Sequence, residues 1–282
     1  MNYVKKIGII LLTSILLISC GGSSNTKKIS LAYANWAEGI AVTHLTKLVL
    51  EEQGYDVTLM NADIAPIFAS LSRKKADVFL DVWLPVTHND YLKEYGDELD
   101  LLGTIFDDAK IGLVVPSYVN INSIEELNGS KERFNEKIVG IDAGAGIMTT
   151  TAKAITEYEL DYELLTSSGP AMTATLEKAI KNEEWVVVTG WTPHYMFNQF
   201  DLKILDDPKN TYGEAELIQS ACWKGFREKD PFATELIANI QLNNEEISSL
   251  MSAVESSKDE SEGAKEWLKK NRELVNSWLP KK

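Results

Sequence analysis

Residues 29–60 read ISLAYANWAEGIAVTHLTKLVLEEQGYDVTLM. Residues 29–33 form a short apolar run of strand type. From 40 to 52 the apolar positions recur at helical spacing, and Gly54 follows as a stop. Residues 56–60 return to strand type. Strand, helix and strand in succession form the unit of an α/β protein with mostly parallel pairing. Outward from this stretch the alternation continues. A short helical segment at 67–73 precedes strand-like 78–80 and 110–115. In the second half, 137–141, 185–189 and 217–221 are strand-like, with helical spacing at 147–158 and 171–182. Residues 230–278 are nearly all helical. No unit of solenoid length repeats, which excludes that class.

The chain has 282 residues, and a length of this order predicts about two domains. It is 44% hydrophobic and 25% charged, a globular composition. The formal net charge of −14 argues against a nucleic-acid partner, which needs a basic face. Two cysteines exclude a disulfide framework and a four-cysteine zinc site, and three histidines argue against a histidine-built zinc centre. There is no Gly-x-Ser-x-Gly elbow and no His-Glu-x-x-His, and no serine or cysteine is tied to an acid–base pair. The expectation is a non-enzymatic protein with neither metal nor cofactor.

Residues 1–19 read as a secretory signal: Lys5 and Lys6, then an apolar stretch at 7–18 too short to span a bilayer comfortably. The stretch ends Leu17-Ile18-Ser19-Cys20-Gly21-Gly22, which resembles the lipobox of bacterial lipoproteins. That resemblance implies cleavage before Cys20 and lipidation of its sulfur and new amino terminus. Several acyl chains anchor stably where one holds only marginally. Loss of the two leader lysines takes the charge from −14 to −16. Residues 20–27 then form a small, polar tether. Cys222 is left without a partner and is expected to be a small buried residue.

Two points where the chain passes between α/β stretches suggest two lobes. The first is expected at 28–112 and 217–282, the second at 113–216, with a ligand cleft between them. In open α/β sheets the ligand lies beyond the carboxyl ends of strands. Three such ends are expected to carry tryptophan: Trp36 after 29–33, Trp83 after 78–80, and Trp191 after 185–189. Core packing would place tryptophans on helix faces or inside strands instead, and that reading is kept for Trp185, Trp223, Trp267 and Trp278. A fourth end, 137–141, runs into Asp142-Ala143-Gly144-Ala145-Gly146-Ile147, where two glycines open a helix. Bare amides at a helix start suit a small anion such as a carboxylate. A turn that needs glycine only for its geometry explains the same residues equally well.

Indole faces attract a cation that cannot be hydrogen-bonded, such as a quaternary ammonium, at about 0.5–2 kcal/mol per contact. A carboxylate site beside such a cage describes a zwitterion of the glycine betaine kind. Glu38 and Asp81 stand near the tryptophans and could add negative field, although helix capping and surface placement are equal uses for them.

Asp81-Val82-Trp83-Leu84-Pro85-Val86-Thr87-His88, Gly140 to Met148, and Thr189-Gly190-Trp191-Thr192-Pro193-His194 resemble segments of the glycine-betaine-binding proteins of ABC importers, the class with the OpuAC-type domain. The resemblance runs through about 29–280. It implies an α/β, two-lobed periplasmic-binding-protein fold of type II. It implies an ammonium cage of Trp36, Trp83 and Trp191, with a carboxylate held by the Gly146 and Ile147 amides and by His88. It also implies permease and ATPase partners, osmoprotective transport, and a lipid anchor at the extracytoplasmic face of a bacterial membrane. A same-fold binder of choline, carnitine or a cationic amino acid is the alternative. Tyr195 stands where many relatives have tryptophan.

Overall fold

The computed structural model describes residues 26–281. The expected signal, Cys20 and most of the tether lie outside them; the first strand begins at Lys27, inside the stretch expected as tether. In chain order the elements are β1 (Lys27–Tyr33), α1 (Ala37–Glu52), β2 (Tyr55–Asn61), α2 (Ile64–Ser72), β3 (Val78–Leu84), α3 (Asn89–Tyr95) and β4 (Leu99–Pro116). Then follow β5 (Lys137–Val139), α4 (Gly146–Glu157), β6 (Glu163–Leu165), α5 (Gly169–Lys181), β7 (Val188–Thr192), α6 (Met196–Gln199), β8 (Leu202–Ile204) and β9 (Glu216–Trp223). The chain ends in α7 (Phe226–Lys229), α8 (Pro231–Ala238), α9 (Asn244–Glu255), α10 (Glu260–Lys270) and α11 (Arg272–Ser277).

The opening unit forms as its sequence predicts. β1 pairs with β2 in parallel over its full length, and α1 crosses between them. Gly54 ends the helix at φ +86°, a conformation that costs glycine least. Later helices are started by side chains that accept free backbone N–H groups. Asn243 forms a capping box with Glu246, Ser168 accepts from Ala171, and Asp230 accepts from Ala233 just past Pro231.

β4 and β9 determine the architecture. β1, β2 and β3 make one parallel group, and β9 inserts antiparallel between β3 and β4. β4 is long enough to serve two sheets. It pairs with β9 as far as Ala109 and with β7 from Lys110 onward. The second sheet adds β5, β6 and β8. The molecule is therefore two-lobed, with the chain leaving the first lobe along β4 and returning along β9. Exit and return strands run in opposite directions, which is why the pairing is more antiparallel than the alternating pattern implies. β4 passes from one sheet to the other at Ala109/Lys110, and β9 begins at Glu216.

Two strands differ from expectation in a way that matters for the site. β3 continues through Leu84 and β7 spans Val188–Thr192, so Trp83 and Trp191 lie in the last turns of strands and not beyond them. Asp81 interrupts the apolar run in the sequence, where the expected strand ends at Leu80; in the structure its carboxyl group is buried within the strand. The β3–β9 register shifts between Phe79 and Val82, and such a bulge re-aims side chains near a site. Trp185, expected in a strand, precedes β7.

The terminal helices clasp α1, with α9 and α10 packed against it and each other. Gly263 in α10 sits so close to α9 that a Cβ there would come within 2.6 Å of the Val254 Cα. Helix propensity favours alanine over glycine by about 1 kcal/mol. Overpacking against backbone costs about 1–3 kcal/mol and wins. Gly263→Ala is expected to lower the urea midpoint; a midpoint at or above that of the parent would refute the close packing.

Candidate functional site

Trp36, Trp83 and Trp191 converge. Trp36 occupies the cap position that starts α1, Trp83 comes from β3 and Trp191 from β7 of the second sheet. All three are buried and line one cavity. Gly146 and Ile147, the first residues of α4, line the same cavity. The first N–H groups of a helix have no partner within it, and Ala145 before them supplies no capping side chain. A Cβ at Gly146 would come within 2.7 Å of the Thr87 Cγ2 and collide with the Thr87 backbone, so glycine lets the second lobe approach the first here.

His88 is placed differently from the other nominated residues. It does not line the cavity but is fully buried beside it, its ring 5.7 Å from the Trp36 ring at 20°. Its Nδ1 accepts the Trp83 backbone N–H at 2.9 Å. Burial pulls its pKa down to about 3, so the ring is neutral and its one proton belongs on Nε2. That Nε2 makes no hydrogen bond among the described residues. His194 is structural: its Nδ1 accepts the Met196 N–H, and its ring meets Trp191 edge-on at 4.8 Å. Tyr195 lies outside the cavity, its ring 4.7 Å from that of His194. Cys222 is buried, and burial pushes its thiol up to about 12.

Each cage indole donates its N–H to a carboxylate. Trp83 donates to Asp81 at 2.8 Å, Trp191 to Glu38 at 2.8 Å and Trp36 to Asp142 at 3.2 Å. Glu38 and Asp81 are therefore neither surface residues nor caps; they are 2% and 1% exposed. Asp81 and Trp83 are two apart on one strand and share a face, the spacing from which this pair is legible. Glu38 lines the cavity itself. Among the described residues no lysine or arginine pairs with either carboxylate. Burial raises both pKa values: Glu38 well above the carboxylate range, with the Asp81 charge adding to the effect, and Asp81 to about 7. The Oδ2 of Asp81 makes no hydrogen bond among the described residues. It lies against the first turn of α1, where a Cβ at Gly39 would come within 2.6 Å of it.

Residues 27–270 match the family described as the substrate binding domain of ABC-type glycine betaine transport systems. The chain belongs to this family, OpuAC. Its members are substrate-binding transport proteins and not enzymes. A glycine betaine/carnitine transport binding protein of Listeria monocytogenes is 49% identical over 150 residues. That alignment covers 52% of this chain and 50% of the relative, so the match spans about half the length of each. Lactococcal OpuAC, solved closed with glycine betaine, superposes with a TM-score of 0.85 at 37% identity, covering 90% of this chain and 100% of that one. The glycine betaine/L-proline-binding protein ProX of Borrelia burgdorferi gives 0.86 at 33% identity, covering 90% and 97%.

The buried carboxylates set a pH dependence. In the unfolded chain Asp81 ionises near pH 4, whereas in the folded chain it keeps its proton up to about 7. The folded state thus binds more protons in this window, and the site's contribution to stability is full at low pH and declines up to about pH 7. Asparagine keeps an acceptor oxygen for Trp83 and does not titrate. Asp81→Asn is expected to raise the melting temperature relative to the parent by more at about pH 8 than at about pH 5, and relief of Glu38 acts in the same direction. An equal difference at both pH values would count against the buried carboxylate.

Proposed function

We propose that this protein captures a quaternary-ammonium solute, glycine betaine or a close analogue, between Trp36, Trp83 and Trp191. It delivers the solute to the permease and ATPase of an ABC importer, serving osmoprotection. One observation carries the reading: three buried indoles and the buried Glu38 side chain line one cavity to which no described lysine or arginine contributes. Trp185 and Trp223 provide the contrast. Arg133 lies 3.3 Å over the first ring and Lys74 4.4 Å over the second, so their π-faces are used inside the fold. Among the described residues no cation lies over the three cage rings, and although His88 stacks on one side of Trp36 the cavity side of the three rings is open to a ligand in this reading. A trimethylammonium head has no N–H to donate and loses little on leaving water for such walls.

The other end of the ligand is read from α4. The Gly146 and Ile147 amides open a helix whose dipole favours an anion, and His88 Nε2 is a second donor. Both supports suit a carboxylate. Choline, a net cation without a carboxylate, is favoured by Glu38, whose side chain lines the cavity. The body would be held at the extracytoplasmic face of a bacterial membrane by acyl chains on Cys20. Among the described residues no helix is long and apolar enough to cross a membrane.

Titration calorimetry on the purified protein tests the cage. Trp83→Ala and Trp191→Ala are each expected to weaken glycine betaine binding by more than about tenfold while the cooperative melting transition survives. Unchanged affinity in both variants would defeat it. The carboxylate end is tested by a ratio. His88→Ala is expected to weaken glycine betaine more than choline, because only the former has an acidic group to lose; equal losses would remove His88 from that role.

A further inference from the structure

Two of the three indole–carboxylate bonds cross the cleft, and they cross in opposite directions. Trp36 belongs to α1 of the first lobe and donates to Asp142, which follows β5 of the second. Trp191 belongs to β7 of the second lobe and donates to Glu38, in the first turn of α1. The third bond, Trp83 to Asp81, stays within β3. The crossing bonds lie among other close approaches. The Tyr91 hydroxyl donates to the Gly144 carbonyl at 3.0 Å, Gly146 abuts Thr87, and a Cβ at Gly169 would come within 2.9 Å of the Asn35 carbonyl oxygen.

We infer that Glu38 and Asp142 are positioning residues for the cage, each accepting the indole N–H of a wall carried by the opposite lobe, so that the walls gripping the ligand also fasten the cleft shut. The inference rests on the cage reading above and deepens it. When the lobes part, both indole N–H groups and both acceptors separate, and water takes their places. When they close, two bonds to acidic side chains form together. The same movement brings the Trp36 and Trp191 faces around one ligand head. Ligand contact and lobe contact are thereby made by opposite parts of the same two rings: the π-face holds the solute and the N–H edge holds the other lobe. A ligand favours the closed state by its differential contacts there, and the two carboxylates add to that difference without touching the solute's far end. Their effect falls on escape, because an open cleft must lose both bonds before the solute leaves.

The test is stopped-flow release of glycine betaine, read by intrinsic tryptophan fluorescence, with Asp142 as the probe because it does not line the cavity. Asp142→Ala is expected to raise the dissociation rate roughly tenfold with the association rate within about threefold of the parent. Asp142→Asn keeps an acceptor oxygen and is expected to release solute within about threefold of the parent. Trp36→Phe removes the donor, so adding Asp142→Ala to it is expected to cost almost nothing more, as a double-mutant cycle requires of a shared bond. A dissociation rate within twofold of the parent in Asp142→Ala, an asparagine variant as fast as the alanine one, or strictly additive losses with Trp36→Phe would each overturn the inference. A second readout needs no ligand: dyes on the two lobes report the closed fraction, which is expected to fall in Asp142→Ala, and an unaltered fraction would overturn the inference. Failure of the parent protein to bind glycine betaine would sink the cage reading instead, and the dye measurement would still decide the cross-cleft bonds.

Discussion

Two carboxylates buried without a cationic partner are the constraint on which the rest of the site depends. Burying an ionised carboxylate is costly, and folded chains normally pair or protonate it. Glu38 and Asp81 are fully enclosed, and each also accepts an indole N–H. That bond partly offsets the desolvation. Burial in turn holds both groups protonated further up the pH scale than a free carboxyl, Asp81 to about 7.

The fold supplies the separation that such a site needs. One long strand, β4, and its antiparallel neighbour, β9, are continuous with the lobes they join. Trp36 and Trp83 ride on the first lobe, Trp191 and the start of α4 on the second. The site is complete only when the lobes meet. Gly146 is the residue that lets them meet closely, since any side chain there would strike the backbone at Thr87. Its glycine is thus explained by close approach between lobes, a reason that neither sequence reading, ligand approach or turn geometry, supplied; Gly146 and Ile147 both line the cavity.

The remaining aromatic residues show how the same residue type is put to another use. Trp267 donates to Ser249 and packs among the terminal helices; Trp223 donates to Asp77 with Lys74 and Lys229 over its ring. In each case the ring's face or edge is consumed by the fold. Trp36, Trp83 and Trp191 differ in lining one cavity with no cation over the ring among the described residues, although His88 stacks on Trp36.

Much of this was legible in order along the chain. The alternation in 29–60 dictated a βαβ start because strand and helix periods are local properties of side-chain spacing, and Gly54 marked the helix end because few other residues adopt its φ at low cost. The three tryptophans, Gly146 and Ile147 were identifiable because their neighbours form recognisable segments, and they do share one cavity. The extent of β3 and β7 was not legible, since Asp81 reads as polar punctuation until the indole that buries it is in place. Nor were the antiparallel place of β9, the pairing of Trp36 with Asp142, or that of Trp191 with Glu38, which join residues more than a hundred positions apart. Local pattern determines which faces of an element are apolar; which carboxylate meets which indole is decided only when two lobes close on each other, because distance in space, and not along the chain, sets a hydrogen bond.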